Sequence, residues 1–272
     1  MKIASNQIKP QSGFAPVAPK AEQGCNCQPQ DMMEIGKEKY TPEKDKIIRS
    51  MLRQAPDEEA ICDVVEALSA YPEAALKRVA EFGTKLEVYD EDAGDKFPNY
   101  MPTLPDPRVV GAYNTAANVL GMEDDDLSPF VLIHEFAHAL DASMGDVSEQ
   151  GDWKGAHRVA KATNQAIRDY ATYNSSEYLA ENTTAYLVAD EALYPLVEKG
   201  LEEELAMEGM SVREYMRMHQ NYSNGRLQQV DPMGYQVVDK MFQSLEQLPP
   251  PQAKKAMNEA EFQAFLDQRK AS

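Results

Sequence analysis

The string His134-Glu-Phe-Ala-His138 constrains this chain more than any other feature of the sequence. Side chains four residues apart on an α-helix project from the same face, so both imidazoles point to one place. Imidazole is a common zinc ligand, and Glu135 lies beside the first histidine without having to bind the metal. The H-E-x-x-H spacing is therefore typical of a helix that supplies two zinc ligands and a general base.

The flanking residues predict that this helix is buried. Ser128 followed by Pro129 is a common helix start, and Gly145 is a common helix end. Apolar side chains cover most of the surface in between: Val131, Leu132, Ile133, Phe136, Ala137 and Leu140. Buried histidines and a glutamate cost on the order of several kcal/mol unless they are paired, and a zinc ion would remove that cost. In the alternative, the histidines are core residues bonded to the backbone, and Glu135 still needs a partner.

A catalytic zinc ion takes three protein ligands and leaves one position for water. The remaining histidines, His157 and His219, lie on polar stretches without the His-x-x-Gly-x-x-His context of a three-histidine site. A downstream glutamate is the other solution, and Glu177 and Glu181 are four residues apart in one segment. We assign Glu177 as the third ligand of a single zinc ion.

Glu181 lies one helical turn beyond the assigned ligand. We expect its carboxylate to accept a proton from the far ring nitrogen of a ligand histidine, which fixes the tautomer of that histidine. Other interpretations stay open for both glutamates. Glu177 is spaced from Asn174 as in a helix capping box, and Glu181 would equally suit a solvated helix face.

These motifs resemble the lethal-factor-like zinc peptidases, a family that includes the catalytic domain of anthrax lethal factor and the secreted Pro-Pro endopeptidases. The resemblance rests on residues 134–141 and 169–181, in which Tyr170 stands seven positions before the ligand glutamate. In that family a tyrosine at this interval assists the oxyanion. The resemblance therefore implies this role for Tyr170, with Tyr173 as the alternative, and it gives Asp141 a supporting place beside the ligands.

The same resemblance implies an α+β fold: a mostly helical, zincin-like metallopeptidase domain with a small mixed or antiparallel sheet beside the motif helix. Residues 85–90 read as a strand, and residues 109–122 as a hairpin around an Asn-Thr turn. The edge of such a sheet suits backbone pairing with an extended peptide. The implied function is a zinc endopeptidase acting on a peptide or protein substrate, including the toxin or effector type.

Composition limits the classes of partner. The net charge of −18 argues against nucleic acid, because phosphate binding needs a basic surface. A hydrophobic content of 43% supports a substantial core, yet no apolar run approaches the ~20 residues of a membrane helix. We therefore expect no nucleic acid and no membrane among the partners, and the oligomeric state stays open.

The organisation along the chain predicts a disordered tail at 1–40 and one metallopeptidase domain at 41–270. The domain is expected to have three parts: helices and then a sheet at 41–127, zinc-site helices at 128–190, and C-terminal helices at 191–270. Without an apolar run after the first lysine, a Sec-type signal peptide is not expected. The protein is then cytoplasmic or exported by another route. Cys25 and Cys27 have no assigned role, and Cys62 is expected in the core without a disulfide framework.

Two other functions are considered as alternatives to the endopeptidase. One is a catalytically inactive zincin-fold protein that acts by binding alone, which the joint presence of ligands, base and tyrosine argues against. The other is an aminopeptidase of the same clan. The run Gly121-Met-Glu-Asp-Asp is superficially like an exopeptidase motif, but it stands close to the zinc helix and has aspartate in place of asparagine.

Overall fold

The computed structural model describes residues 40–89, 111–123, 128–188 and 223–271. These residues form nine α-helices and four strands: α1 Pro42–Met51, β1 Leu52–Gln54, α2 Glu58–Leu68, α3 Glu73–Phe82, β2 Lys85–Tyr89, β3 Gly111–Asn114, β4 Val119–Glu123, α4 Pro129–Ser143, α5 Gly151–Thr163, α6 Ser175–Leu187, α7 Asn224–Val230, α8 Pro232–Ser244 and α9 Glu259–Ala271. Residues 1–39 of the expected tail, residues 90–110 and 124–127, and the part of the expected C-terminal helices at 191–222 lie outside the described residues. The mostly helical α+β class with a small mixed sheet is confirmed.

The sequence pattern predicts helices at 42–54, 57–70 and 72–82, and α1, α2 and α3 lie in these stretches. Thr41 and Asp57 cap α1 and α2 by accepting hydrogen bonds from the backbone N–H groups of Lys44 and Ala60. One prediction was wrong, because the helix expected to continue to residue 54 stops at Met51. Residues 52–54 instead form β1 and pair with β2, so strand pairing outweighs the local helical pattern.

The sheet has the strand order β1-β2-β4-β3. β1, β2 and β4 are parallel, whereas β3 pairs antiparallel with β4 and lies at one edge of the described sheet. The hairpin expected before the motif helix is therefore present, with Tyr113 opposite Leu120 and Asn114 opposite Val119. Its edge strand lies beside α4.

Helix α4 carries the His-Glu-Phe-Ala-His string and is packed between α2, α3, α6 and the hairpin. The Tyr71 hydroxyl donates a hydrogen bond of 2.7 Å to the Ile133 carbonyl, and the Tyr71 ring lies 4.7 Å from that of Phe136. Ser128 occupies the N-cap position, but its side chain makes no capping bond, which the sequence did not indicate. The helix ends at Ser143, and Gly145 follows with a φ of +79°.

Helix α6 is joined to the C-terminal helices by buried polar groups. The Tyr178 hydroxyl donates to Asp231 Oδ2 over 2.6 Å, while Asp231 Oδ1 caps α8 by accepting from the Gly234 N–H. A Cβ on Gly234 would lie 2.6 Å from Asp231 Oδ2, so only glycine fits there. These contacts hold α6 against the start of α8.

Cys62 departs from the sequence expectation. It is half-buried on α2 rather than part of the core, and it is disulfide-bonded. No helix among the described stretches is long and apolar enough to cross a membrane.

Candidate active site

Three side-chain atoms from α4 and α6 form a nearly equilateral triangle. His134 Nε2 lies 3.2 Å from His138 Nε2 and 3.1 Å from Glu177 Oε2, and His138 Nε2 lies 3.4 Å from the same oxygen. Atoms that bind one tetrahedral zinc ion at ~2.0–2.2 Å are about 3.3–3.6 Å apart. The triangle therefore has close to the dimensions of one face of such a site.

Glu177 reaches the histidines because of the way in which α6 begins. Asn174 is the N-cap, and its Oδ1 accepts a hydrogen bond of 2.8 Å from the Glu177 N–H. In a reciprocal capping box the glutamate would bond back to the backbone of the cap residue. Here Glu177 Oε2 lies against His134 and His138 instead. The cap thus sets the backbone of Glu177 and leaves its carboxylate to the site.

The far ring nitrogens of both histidines have partners on α6. His134 Nδ1 lies 3.3 Å from Oε1 of Glu181, whose side chain is only 3% exposed. His138 Nδ1 lies 3.0 Å from the hydroxyl oxygen of Ser176. Partners of this kind fix the ring orientation and leave the other nitrogen free to bind a metal. The sequence predicted the contact of Glu181 but missed Ser176.

Glu135 points toward the edge strand. Its Oε2 accepts a hydrogen bond of 2.8 Å from the backbone N–H of Tyr113 in β3. Ligand atoms of Glu135, His134 and His138 all lie within 4.8 Å of one another. The carboxylate is therefore beside the two imidazoles and also held by the strand along which an extended chain can pair.

Tyr170 lies at the rim of the same site, in the short 3-10 turn Tyr170–Thr172. Its ring centre is 6.1 Å from that of His134, and its side chain is 38% exposed. Burial raises the pKa of the Tyr170 hydroxyl, and the nearby charges of Glu177 and Glu135 raise it further, so the group is a neutral donor. Tyr173, the alternative, is 66% exposed, with a ring parallel to that of Tyr170 at 6.4 Å.

Two other residues considered from the sequence lie elsewhere. The Asp141 carboxylate accepts two described hydrogen bonds, from the Ser148 N–H at 2.9 Å and from the Ser148 hydroxyl at 2.6 Å. Neither involves a histidine. His157 Nε2 lies 3.2 Å from the Thr172 carbonyl oxygen, away from the motif pair. Asp141 thus joins α4 to the following turn, and His157 is not in contact with the triangle.

The charge at this site suits a divalent cation. Burial alone raises the pKa of Glu177, but hydrogen bonds with His134 and His138 outweigh it and lower that pKa to about 2. Glu135, Glu177 and Glu181 contribute three negative charges, and Arg168, 3.9 Å from Glu181, contributes one positive charge. Burial lowers the pKa of His134, but hydrogen bonds with Glu177 and Glu181 outweigh it and raise that pKa to about 10. A bound metal requires both imidazoles to be neutral, and in that state these groups sum to −2, which a Zn²⁺ ion would balance.

The site groups that were not predicted from the sequence differ in how far the sequence could have indicated them. Ser176 stands directly before Glu177, so once a metal ligand is placed in the first turn of α6, its neighbour is a natural candidate. The N–H of Tyr113 left no signal, because a backbone donor has no residue type to recognise. Its role depends on the edge position of β3, which only the fold provides.

No family model matches the sequence, and no curated protein is significantly similar to it. Among solved structures, the chain is similar to the Pro-Pro endopeptidase PPEP-2 from Paenibacillus alvei, with 14% identity and a TM-score of 0.49 over 72% of this chain and 99% of that one. Membership of the lethal-factor-like family stays a prediction from the motifs.

Proposed function

We propose that this protein is a zinc-dependent endopeptidase whose single metal ion is held by His134, His138 and Glu177. The observation that carries the proposal is the triangle of two imidazole nitrogens and one carboxylate oxygen, 3.1–3.4 Å on each side. Two nitrogens and one oxygen form the donor set of a catalytic zinc site with an open fourth position. When bound, zinc lowers the pKa of a water molecule and polarises a carbonyl group.

Glu135 acts as the general base and acid. It takes a proton from the attacking water and delivers it to the nitrogen of the leaving amine. This role requires a carboxylate beside the ligands but outside the triangle, where the N–H of Tyr113 holds it. The edge strand β3 is then the surface on which an extended substrate pairs through its backbone.

Tyr170 donates its hydroxyl hydrogen to the oxygen on which negative charge develops. The raised pKa of Tyr170 keeps this proton in place at neutral pH. Donors that are already oriented before the reaction stabilise the transition state more than water does, because nothing has to reorganise. Glu181 and Ser176 hold the two histidines in the orientation that leaves both Nε2 atoms facing the metal.

The exopeptidase alternative finds no support in the sheet. Gly121, Met122 and Glu123 belong to β4, which is paired on both sides, by β2 and β3. Glu123 is only 8% exposed. A carboxylate that binds a substrate's free amino terminus would have to be accessible to that substrate.

The test is cleavage of peptide libraries that are blocked at both ends, with the products mapped by mass spectrometry. We expect the zinc-loaded protein to cut blocked peptides internally, and the Glu135→Gln variant to bind zinc normally while losing at least ~100-fold in turnover. Glu246→Gln, at an exposed position in the turn Leu245–Gln247, is the matched control and should retain activity.

Three outcomes would overturn the proposal. Cleavage restricted to peptides with free amino termini would indicate an aminopeptidase. Equal activity of Glu135→Gln and wild type would remove the hydrolytic mechanism. A protein that binds zinc but cuts neither kind of library would be the inactive binding protein.

A further inference from the structure

The hydrogen bond between Tyr113 and Glu135 is the start of a longer chain of contacts. In the antiparallel pair, Tyr113 stands opposite Leu120, yet its N–H points to Glu135 and not to β4. The position of this donor therefore depends on where the edge strand lies. Whatever fixes β3 also fixes the carboxylate that we propose as the base.

The side chain of Tyr113 is anchored at the far end of the hairpin. Its hydroxyl donates a hydrogen bond of 2.9 Å to Asn118 Oδ1, which also accepts 2.7 Å from the Thr84 hydroxyl. Asn118 is fully buried and adopts a φ of +56°, a left-handed conformation that asparagine tolerates better than most residues. Residue type and backbone shape thus agree at this corner.

The other end of the Asn118 amide binds the C-terminal segment. Its Nδ2 donates 2.8 Å to the carbonyl oxygen of Lys254, in the extended stretch 248–258 between the last two helical elements. The same stretch donates from the Lys254 N–H to the Phe82 carbonyl at 2.7 Å and from the Met257 N–H to the Ala117 carbonyl at 2.9 Å. We call these residues, 248–258, the strap.

Gly83 shows how closely the strap approaches the hairpin. Its φ is +95°, and a Cβ built there would lie 2.6 Å from the Lys254 carbonyl oxygen. Glycine is needed both for the backbone conformation and for the passage of the strap. The contact is therefore built into the fold from both sides.

We propose that Asn118 and the hydroxyl of Tyr113 are positioning residues for Glu135, and that the strap locks them in place. Hydrogen bonds link the strap to Asn118 and Asn118 to the Tyr113 hydroxyl. The backbone N–H of the same tyrosine donates to the Glu135 carboxylate. None of Asn118, Tyr113 and the strap is a ligand, the base or the oxyanion donor of the proposed site. The inference rests on the proposed role of Glu135 as the general base.

The test compares Tyr113→Phe with Tyr186→Phe. Each variant removes one hydroxyl hydrogen bond from a half-buried tyrosine, and the hydroxyl of Tyr186 bonds to Asp239 at 2.7 Å, away from the triangle. Displacements of a catalytic group by ~1 Å lower rates by about 100-fold. We expect Tyr113→Phe to lower kcat about tenfold with KM and zinc content unchanged, and Tyr186→Phe to leave kcat unchanged.

Amide hydrogen exchange of residues 111–114 provides a readout that does not depend on activity. We expect faster exchange in Tyr113→Phe and in Asn118→Gly, which keeps the left-handed backbone, but not in Tyr186→Phe. Unchanged exchange together with unchanged kcat in Tyr113→Phe overturns the inference. If Tyr113→Phe exchanges faster but the wild-type protein cuts no peptide, the proposed function is refuted and the positioning contact stands.

Discussion

The residues around the triangle divide the roles of the proposed hydrolase among separate groups. His134, His138 and Glu177 supply the proposed metal-binding atoms, while Glu135 and Tyr170 lie beside them with a carboxylate and a neutral hydroxyl. Each residue can therefore be removed with a different expected effect. Loss of a ligand should abolish zinc binding, whereas loss of Tyr170 should not.

Tyr170→Phe should lower kcat by about 100-fold, or ~3 kcal/mol in transition-state stabilisation, because one oriented donor to the oxyanion is lost. Zinc content should stay the same, since the hydroxyl is not among the three ligand atoms. Turnover measured alongside metal analysis checks both statements. Tyr173→Phe, at the more exposed ring, should retain kcat; the opposite result would give the role to Tyr173.

The residue scale also shows what a spacing pattern can and cannot contain. The two histidines and the two glutamates are each four residues apart, so the sequence alone indicates that each pair shares one helix face. In the structure, Glu177 and Glu181 lie against His134. The N–H of Tyr113 reaches the site through tertiary packing alone, and Ser176 is indicated only by its place beside Glu177. No periodicity in the sequence encodes such contacts.

At the scale of elements, α4 and α6 form one packed pair whose ends are fixed by polar contacts. In the last turn of α4, Asp141 accepts hydrogen bonds from Ser148, which lies in the turn Val147–Glu149. Burial raises the pKa of Asp141, and the bonds from Ser148 offset part of this effect. The contact is structural, and it can be separated from support of the ligand histidines.

Asp141→Ala should lower the free energy of unfolding by about 2–3 kcal/mol, because the buried N–H and hydroxyl of Ser148 lose their acceptor. Zinc affinity should change little. Asp146→Asn removes a charge at an exposed position nearby and serves as the control. Chemical denaturation and a zinc titration give the two quantities. A 10–100-fold loss of zinc affinity without a loss of stability would show that Asp141 supports a ligand instead.

Elements were predicted well where local signals and tertiary packing agree. The Thr41 and Asp57 caps and the Asn-Thr hairpin turn mark observed element boundaries. Residues 52–54 were missed, because a short strand that pairs with β2 carries no period of its own. The capping contact of Ser128 was also absent, although the helix begins where serine and proline predict.

The whole molecule places the ligand triangle between a helix pair and the edge of a mixed sheet. That arrangement gives the proposed substrate a strand to pair with and gives the proposed base a backbone donor from the same strand. The strap, at residues 248–258, is hydrogen-bonded to the turn of the hairpin through Ala117 and Asn118. Sequence patterns predicted the metal ligands, but only the fold shows that the C-terminal segment reaches the strand beside these residues.

The central claim is that one zinc ion binds at the triangle, and anomalous diffraction tests it most directly. Crystals of the zinc-loaded protein would be measured on both sides of the zinc absorption edge. We expect one anomalous peak that is present only above the edge, ~2.0–2.2 Å from His134 Nε2, His138 Nε2 and a Glu177 carboxylate oxygen. A zinc-loaded crystal with no peak there, or with its peak at other residues, would contradict it.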